Sequence, residues 1–229
     1  MGHMALLGAG KPPVAAGGAS PTFNKTAGPA WQNIANGSSV ATFSATAIGT
    51  ADAGRYVVVG VGLHAAATKV VTGITVGGVA LTKAIESTDA SYKSSLWYGN
   101  VPTGTTADIV VTVTAAFAIS YIGIVVAEMT LPTPTPTATA MRADSYTGSA
   151  GSVSLTVPSS GIGVIVAMVT KGVGTADVGT WTNATEDYET ISTVYALGFA
   201  HTTTTGALTI SVAGDGDNNI NMASAAWGP

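Results

Sequence analysis

Apolar and polar residues alternate with period two along most of the chain beyond residue 40, and no stretch shows the 3.6-residue stripe of an amphipathic helix. Val40, Thr42, Ser44 and Thr46 point one way, and Ala41, Phe43, Ala45 and Ala47 the other. Strands are predicted at 40–47, 55–63, 70–75, 79–85, 94–100, 109–114 and 121–129. Gly77-Gly78 marks a tight hairpin, because glycine supplies the positive φ such turns need. A second series is predicted at 153–157, 162–169, 179–182, 185–190, 192–200, 207–212 and 220–227, with a hairpin at Asn183-Ala184. Short strands punctuated by turns indicate antiparallel sandwiches of jelly-roll or immunoglobulin-like type.

Three of these strands break the alternation. Residues 56–63, 121–127 and 162–169 are apolar on both faces, whereas a strand with one wet face alternates. Gly60 and Gly62 share a face of the first, leaving a flat surface that another layer can approach closely. Something must cover that second face. The sister domain, a loop and another subunit are the alternatives.

The second half resembles a shortened copy of the first. Residues 54–64 match 161–171, 106–115 match 206–215, and 121–130 match 220–229. A period near a hundred residues points to a duplicated domain, since solenoid repeats run to roughly 20–50 residues. The expected organisation is an N-terminal arm at 1–38, a first sandwich at 39–131, a proline- and threonine-rich spacer at 132–140 and a second sandwich at 141–229. Met1 to Met4 reads as a vector scar ahead of an initiator Met4. The Gly-, Ala- and Pro-rich arm is either a loose leader or an extended segment lying on a neighbouring subunit, with Phe23 and Trp31 as anchors.

Composition narrows the class. Charged residues make up only 9% of the 229, against about a quarter in ordinary domains, and the net charge is −4. That balance excludes the basic face of a nucleic-acid-binding domain. The chain has no cysteine, so it carries neither disulfides nor thiolate metal sites. Mean hydropathy is high at +0.41, yet the longest apolar run, 119–129, is far short of the ~20 residues of a spanning helix. Membrane insertion is not expected. Low charge and two-faced apolar strands together favour an assembly component over a freely diffusing monomer.

Few residues suggest chemistry. His64 and His201 occupy non-equivalent places in the two copies, and no G-x-S-x-G elbow is present. Gly8-Ala-Gly10-Lys11 lacks the remainder of a phosphate loop. Asp215, Asp217 and Asn219 present alternating oxygen ligands that could hold a hard cation, but such a cluster is more commonly a plain turn, and no metal is assigned. Glu86, Asp89, Glu186, Asp187 and Glu189 lie in equivalent loops; paired acids serve glycosidases, but solvating a low-charge surface is their commoner role. Sequons begin at Asn24, Asn36 and Asn183, as chance provides in a Thr- and Ser-rich chain. No catalytic residue and no cofactor is assigned. Trp97, Tyr98, Trp181, Tyr188 and Tyr195 form the recognition surface on offer, for glycan, unless the tryptophans plug a core.

Two groups of phrases carry a family resemblance. One is Ala51-Asp-Ala-Gly-Arg55-Tyr-Val-Val-Val-Gly60-Val with Ile74-Thr-Val-Gly-Gly-Val79, Leu96-Trp97-Tyr98 and Val101-Pro-Thr-Gly-Thr105; the other is Ala225-Ala-Trp-Gly-Pro229. In these the chain resembles small β-sandwich proteins of tailed-phage and prophage structural gene clusters, the tail-fibre and head-decoration components. The resemblance implies a non-enzymatic virion protein, assembled in the host cytoplasm. Its implied partners are itself, in a trimer or other homo-oligomer, and other virion proteins. A host-surface glycan-binding adhesin is the alternative.

Overall fold

Among the described residues the alternation seen in the sequence becomes seventeen strands. A computed structural model of the chain describes residues 19–34, 38–65, 69–88, 91–114, 120–131, 133–142, 150–171, 174–192, 194–213 and 218–229. In the first half the strands are β1 (Thr22–Ile34), β2 (Val40–Ala47), β3 (Arg55–His64), β4 (Val71–Val76), β5 (Val79–Ala80), β6 (Thr82–Glu86), β7 (Tyr92–Asn100), β8 (Thr106–Val113) and β9 (Ser120–Thr130). In the second they are β10 (Ala138–Arg142), β11 (Ala150–Val157), β12 (Ile162–Lys171), β13 (Thr180–Thr182), β14 (Thr185–Ser192), β15 (Tyr195–Thr202), β16 (Gly206–Ala213) and β17 (Asn218–Trp227). Among the described residues no helix is long and apolar enough to cross a membrane.

The strands form four antiparallel sheets in two sandwich-like halves. The first half pairs an inner sheet, β1-β9-β3-β7-β6, with an outer sheet, β2-β8-β4-β5; the second pairs β10-β17-β12-β15-β14 with β11-β16-β13. The two inner sheets share one strand order, position for position. They also touch reciprocally: β3 lies against β12, β7 against β17 as β15 against β9, and β1 against β14 as β6 against β10. That approaches the geometry of an isologous dimer, with additional contacts of β12 with β7 and of β17 with β6. The chain holds a close counterpart of such a dimer within itself.

Three apolar interiors result. Val57, Val59, Val61, Ile109, Val111 and Val113 pack inside the first sandwich. Ile165, Ala167, Val169, Ile210 and Val212 pack inside the second, where Leu208 is only half-buried. Between the inner sheets lies the third, made by Val58, Leu96, Val125 and Met129 of one half and Val164, Val166, Met168, Leu197 and Phe199 of the other. The two-faced strands are thereby accounted for. Their second faces are covered by the sister half.

Several expectations need correction. Part of the segment assigned to an arm is strand β1, which pairs with β9 from Thr22 opposite Thr130 to Ile34 opposite Ser120, with two bulges. The bulges absorb the irregularity of a Gly- and Pro-containing edge strand. Residues 138–140, assigned to the spacer, open β10 and pair with β17. The predicted strand 79–85 is two strands: β5 pairs with β4 in the outer sheet, and after Leu81 the chain crosses to the inner sheet, where β6 pairs with β7. The structural repeat runs one residue out of register with the match of 54–64 to 161–171. Val58 faces the interior between the halves, while its sequence match Ile165 faces the outer sheet; Val166 shares the environment of Val58. A shift of one residue reverses the face of a strand, so the faces decide the match.

Candidate functional site

The seam between the inner sheets is where the halves bring different side chains together. Gly60 and Gly62 lie under the rings and chains of the second half. A Cβ on Gly60 would stand 2.7 Å from Val125 Cγ2 and 3.1 Å from Phe199, and one on Gly62 would stand 2.8 Å from Leu197. Buried Ser94 bridges the seam, donating to the Asn221 carbonyl at 2.8 Å and accepting from the Met168 amide at 3.0 Å. Tyr98 meets Trp227 edge-on at 5.7 Å, and the Trp227 indole donates to the Pro134 carbonyl at 3.0 Å. The proline-rich connector is therefore clamped by β17.

Each end of the seam carries a histidine. At one end, His64 stacks on Tyr92 at 4.9 Å and on Tyr195 at 4.9 Å, with Tyr121 at 6.3 Å. The Tyr195 hydroxyl and His64 Nδ1 are 2.9 Å apart, joining the two halves by a hydrogen bond. Burial holds the His64 imidazole below its ordinary pKa and pushes the Tyr195 hydroxyl up, with Tyr92 and Tyr121 adding to the latter. Around the other end, Phe23 of β1 stacks on His201 at 4.5 Å, and His201 Nδ1 pairs with Asp187 at 2.8 Å. Lys25 sits 5.3 Å over the Tyr188 ring and donates to the Asp187 carbonyl at 3.2 Å.

A separate polar bowl of about 320 Å³ opens where β1, β3 and β9 meet, lined by Asn24, Thr50, Asp52, Arg55, Glu128 and Thr130 among others. Its Glu128 carboxylate is already engaged, accepting from the Asn24 amide at 3.0 Å and the Thr50 backbone amide at 2.7 Å. Arg55 is 2% exposed, and its guanidinium donates to four carbonyls: Val101 at 2.7 Å, Gly49 at 3.0 Å, Gly104 at 2.9 Å and Thr103 at 2.7 Å. Those bonds tie two turns to the start of β3, and they leave the guanidinium little to offer an anionic ligand.

No known protein family and no curated protein matches this chain. Its reading therefore rests on the residues themselves.

The residues picked out in the sequence are placed as follows. Trp97 and Tyr98 are buried on opposite faces of β7, Trp97 inside the first sandwich and Tyr98 in the seam, so neither offers a ring to a ligand from solvent. Trp181 is half-buried against Gly198 at the edge of the second core. Tyr188 lies under Lys25. Phe23 and Trp31 pack on the chain's own second half, against His201 and Tyr195. Asp215, Asp217, Asn36 and Asp89 lie outside the described residues. Asn219 is buried on β17, and among the described residues no three acids or histidines converge on a metal position. Glu86 pairs with Lys83 at 2.6 Å, and Glu189 accepts from the Val178 amide at 2.7 Å. Burial, ahead of the nearby Asp177 charge, raises the pKa of Glu186 and Glu189. The His64 tyrosine group was not foreseen as a unit. Its one legible signal is that Tyr92, Tyr121 and Tyr195 each stand at the opening of a strand.

Proposed function

We propose that the chain is a non-enzymatic structural component of a tailed-phage type particle, a rigid four-layer block that joins its neighbours through sheet edges. One observation carries this reading. The broad apolar faces are sealed within the chain, and the exposed large apolar side chains among the described residues, Val40, Val79, Met141 and Ile191, all lie on edge strands. An edge strand presents unpaired amides and carbonyls, so an apolar side chain there adds burial to a ready template for pairing. The low charge supports the same reading, since it leaves little repulsion between copies. Expected partners are further copies of the chain and other particle proteins.

The test is oligomeric state. Light scattering behind size exclusion should give a multiple of the 22.6 kDa chain, and the double variant Met141→Lys, Ile191→Lys should elute as a folded monomer. A wild-type protein that stays monomeric when concentrated would count against assembly by edges.

A further inference from the structure

The edges of the four sheets are not equally protected. A free strand edge is a template for pairing with another chain, and folded proteins blunt it by shortening the strand, bulging it, or setting charge or proline on it. Among the described residues every edge strand but one carries such a device. β1 has two bulges with Lys25 and Pro29, β6 a bulge with Lys83, and β14 a bulge with Glu186, Asp187 and Glu189. β2 is bulged between Phe43 and Thr46, and there the Asp108 carboxylate accepts from the Ala45 amide at 2.9 Å. β5 and β13 are two and three residues long, and β10 is five residues ending at Arg142. The exception is β11. Its eight residues, Ala150-Gly-Ser-Val-Ser-Leu-Thr-Val157, include no charge and no proline. They pair with β16 without a break, from Ala150 opposite Ala213 to Val157 opposite Gly206, and the other side of β11 carries no strand.

We propose that β11 pairs antiparallel with β11 of a second copy, so that two outer sheets become one continuous sheet across a twofold axis. This rests on the reading of the chain as a block joined by its edges, and it names one of the joints. Three observations select a second copy as the occupant. A strand that pairs with itself sets like against like, and β11, having no charge, meets no repulsion in doing so. Its register also closes on itself. Burial alternates strictly along β11, so the two cores stay on one side only if residues of the same face stand opposite, which puts the axis through a residue. With Ser154 on the axis, Val153 faces Leu155, Gly151 faces Val157 and Ser152 faces Thr156: each core-facing position meets another, and hydroxyl meets hydroxyl outside. Thirdly, β10 lies against β11 in the layer beneath, and both are the outermost strands of their sheets on that flank. Its Met141, 45% exposed, adds apolar burial to the main-chain hydrogen bonds that give strand addition its affinity. The matching edge of the first half is β2, which its bulge and Asp108 block, so this joint closes on a pair and does not run on as a fibre.

The chain has no cysteine, so a single introduced thiol reports on this joint without background. Ser154→Cys sets two thiols opposite one another at the axis, where facing Cβ atoms stand about 4.5–5.5 Å apart, close to disulfide reach. Mild oxidation of the full chain should link most of it as a covalent dimer. Thr209→Cys is the control: Thr209 faces Ser154 from β16, three strand spacings or about 14 Å from its copy, and should stay unlinked. Ile191 lies on β14, at the far edge of the sheet from β10, so Ser154→Cys should still link when combined with Ile191→Lys. Ser152→Lys with Ser154→Lys, both at exposed positions, should leave the melting temperature unchanged and lower the mass found by light scattering to about half or less. A wild type that assembles, with Ser154→Cys unlinked and the lysine variant equally large, overturns the β11 joint and leaves assembly through the other edges standing. A wild type that stays monomeric when concentrated, with Ser154→Cys unlinked, overturns both.

Discussion

Replacing Arg55 by methionine should cost far more than a surface charge ordinarily does. Methionine fills much of the space of the arginine stem but donates nothing to the four carbonyls now bonded to the guanidinium. Thr103 and Gly104 are exposed, so water replaces the arginine at their carbonyls at little cost. Val101 is 4% exposed and Gly49 half-buried, and their carbonyls would be stranded. A hydrogen bond from a charged donor contributes about 1.5–3 kcal/mol, so two such losses amount to roughly 4 kcal/mol. For a chain of this length that corresponds to a fall of about 8–16 °C in melting temperature. Arg55→Lys should fall between, since an ammonium lacks the planar fork that spans both turns. Urea denaturation of the three proteins, with unchanged m-values, checks the estimate. A loss below about 1 kcal/mol for Arg55→Met would refute the view that this guanidinium staples the turns to β3.

Acidification should weaken the native state through His64. Its imidazole is harder to protonate folded than unfolded, so the unfolded chain binds more protons below the ordinary histidine pKa of about 6.5. Stability is then intact above that pH, declines as pH falls towards the lowered folded value, and levels off beneath it. The melting-temperature difference between wild type and His64→Phe, followed from neutral pH downward, should show that decline; a difference independent of pH would contradict it. Gly60→Val should wedge the halves apart, because its Cβ meets Val125 and Phe199, at a cost of about 1–3 kcal/mol. Hydrogen exchange should quicken in β12 and β15. Gly73→Val, where nothing lies within 4 Å, is the control and should leave those strands unchanged.

What the sequence revealed and what it hid follow from the range of each signal. Alternation is local, so the strand series and the burial of Val57, Val59, Val61, Val111, Val113, Val164 and Val166 were legible. So was the need for a cover over 56–63, because glycine and valine on both faces exclude a wet side. Strand β1 was hidden because Gly28 and Pro29 suggest a loose segment, while its order comes from β9, far along the chain. Trp97 and Tyr98 looked like tip aromatics because neighbours on a strand point opposite ways, and the sequence does not tell that both ways lead inward. The group of rings at His64 depends on register between β9, β3 and β7 and on a fourth strand from another sheet. No local pattern encodes that meeting.

The place of β17 has a consequence in time. This strand lies between β10 and β12, inside the second inner sheet, although it is made last of the strands described. The first inner sheet has all its strands once residue 130 has left the ribosome, but its cover lacks an inner member until residues 218–227 follow. At about 5–20 residues per second, translation leaves the faces of β7 and β6, against which β17 packs, without that strand for roughly 5–20 seconds. During that interval a nascent first half presents to its neighbours on the same message the flat apolar surface that its own second half will later take. Slow synthesis or high expression should therefore favour pairing between chains, and a chaperone that shields this one face would decide the yield of folded protein.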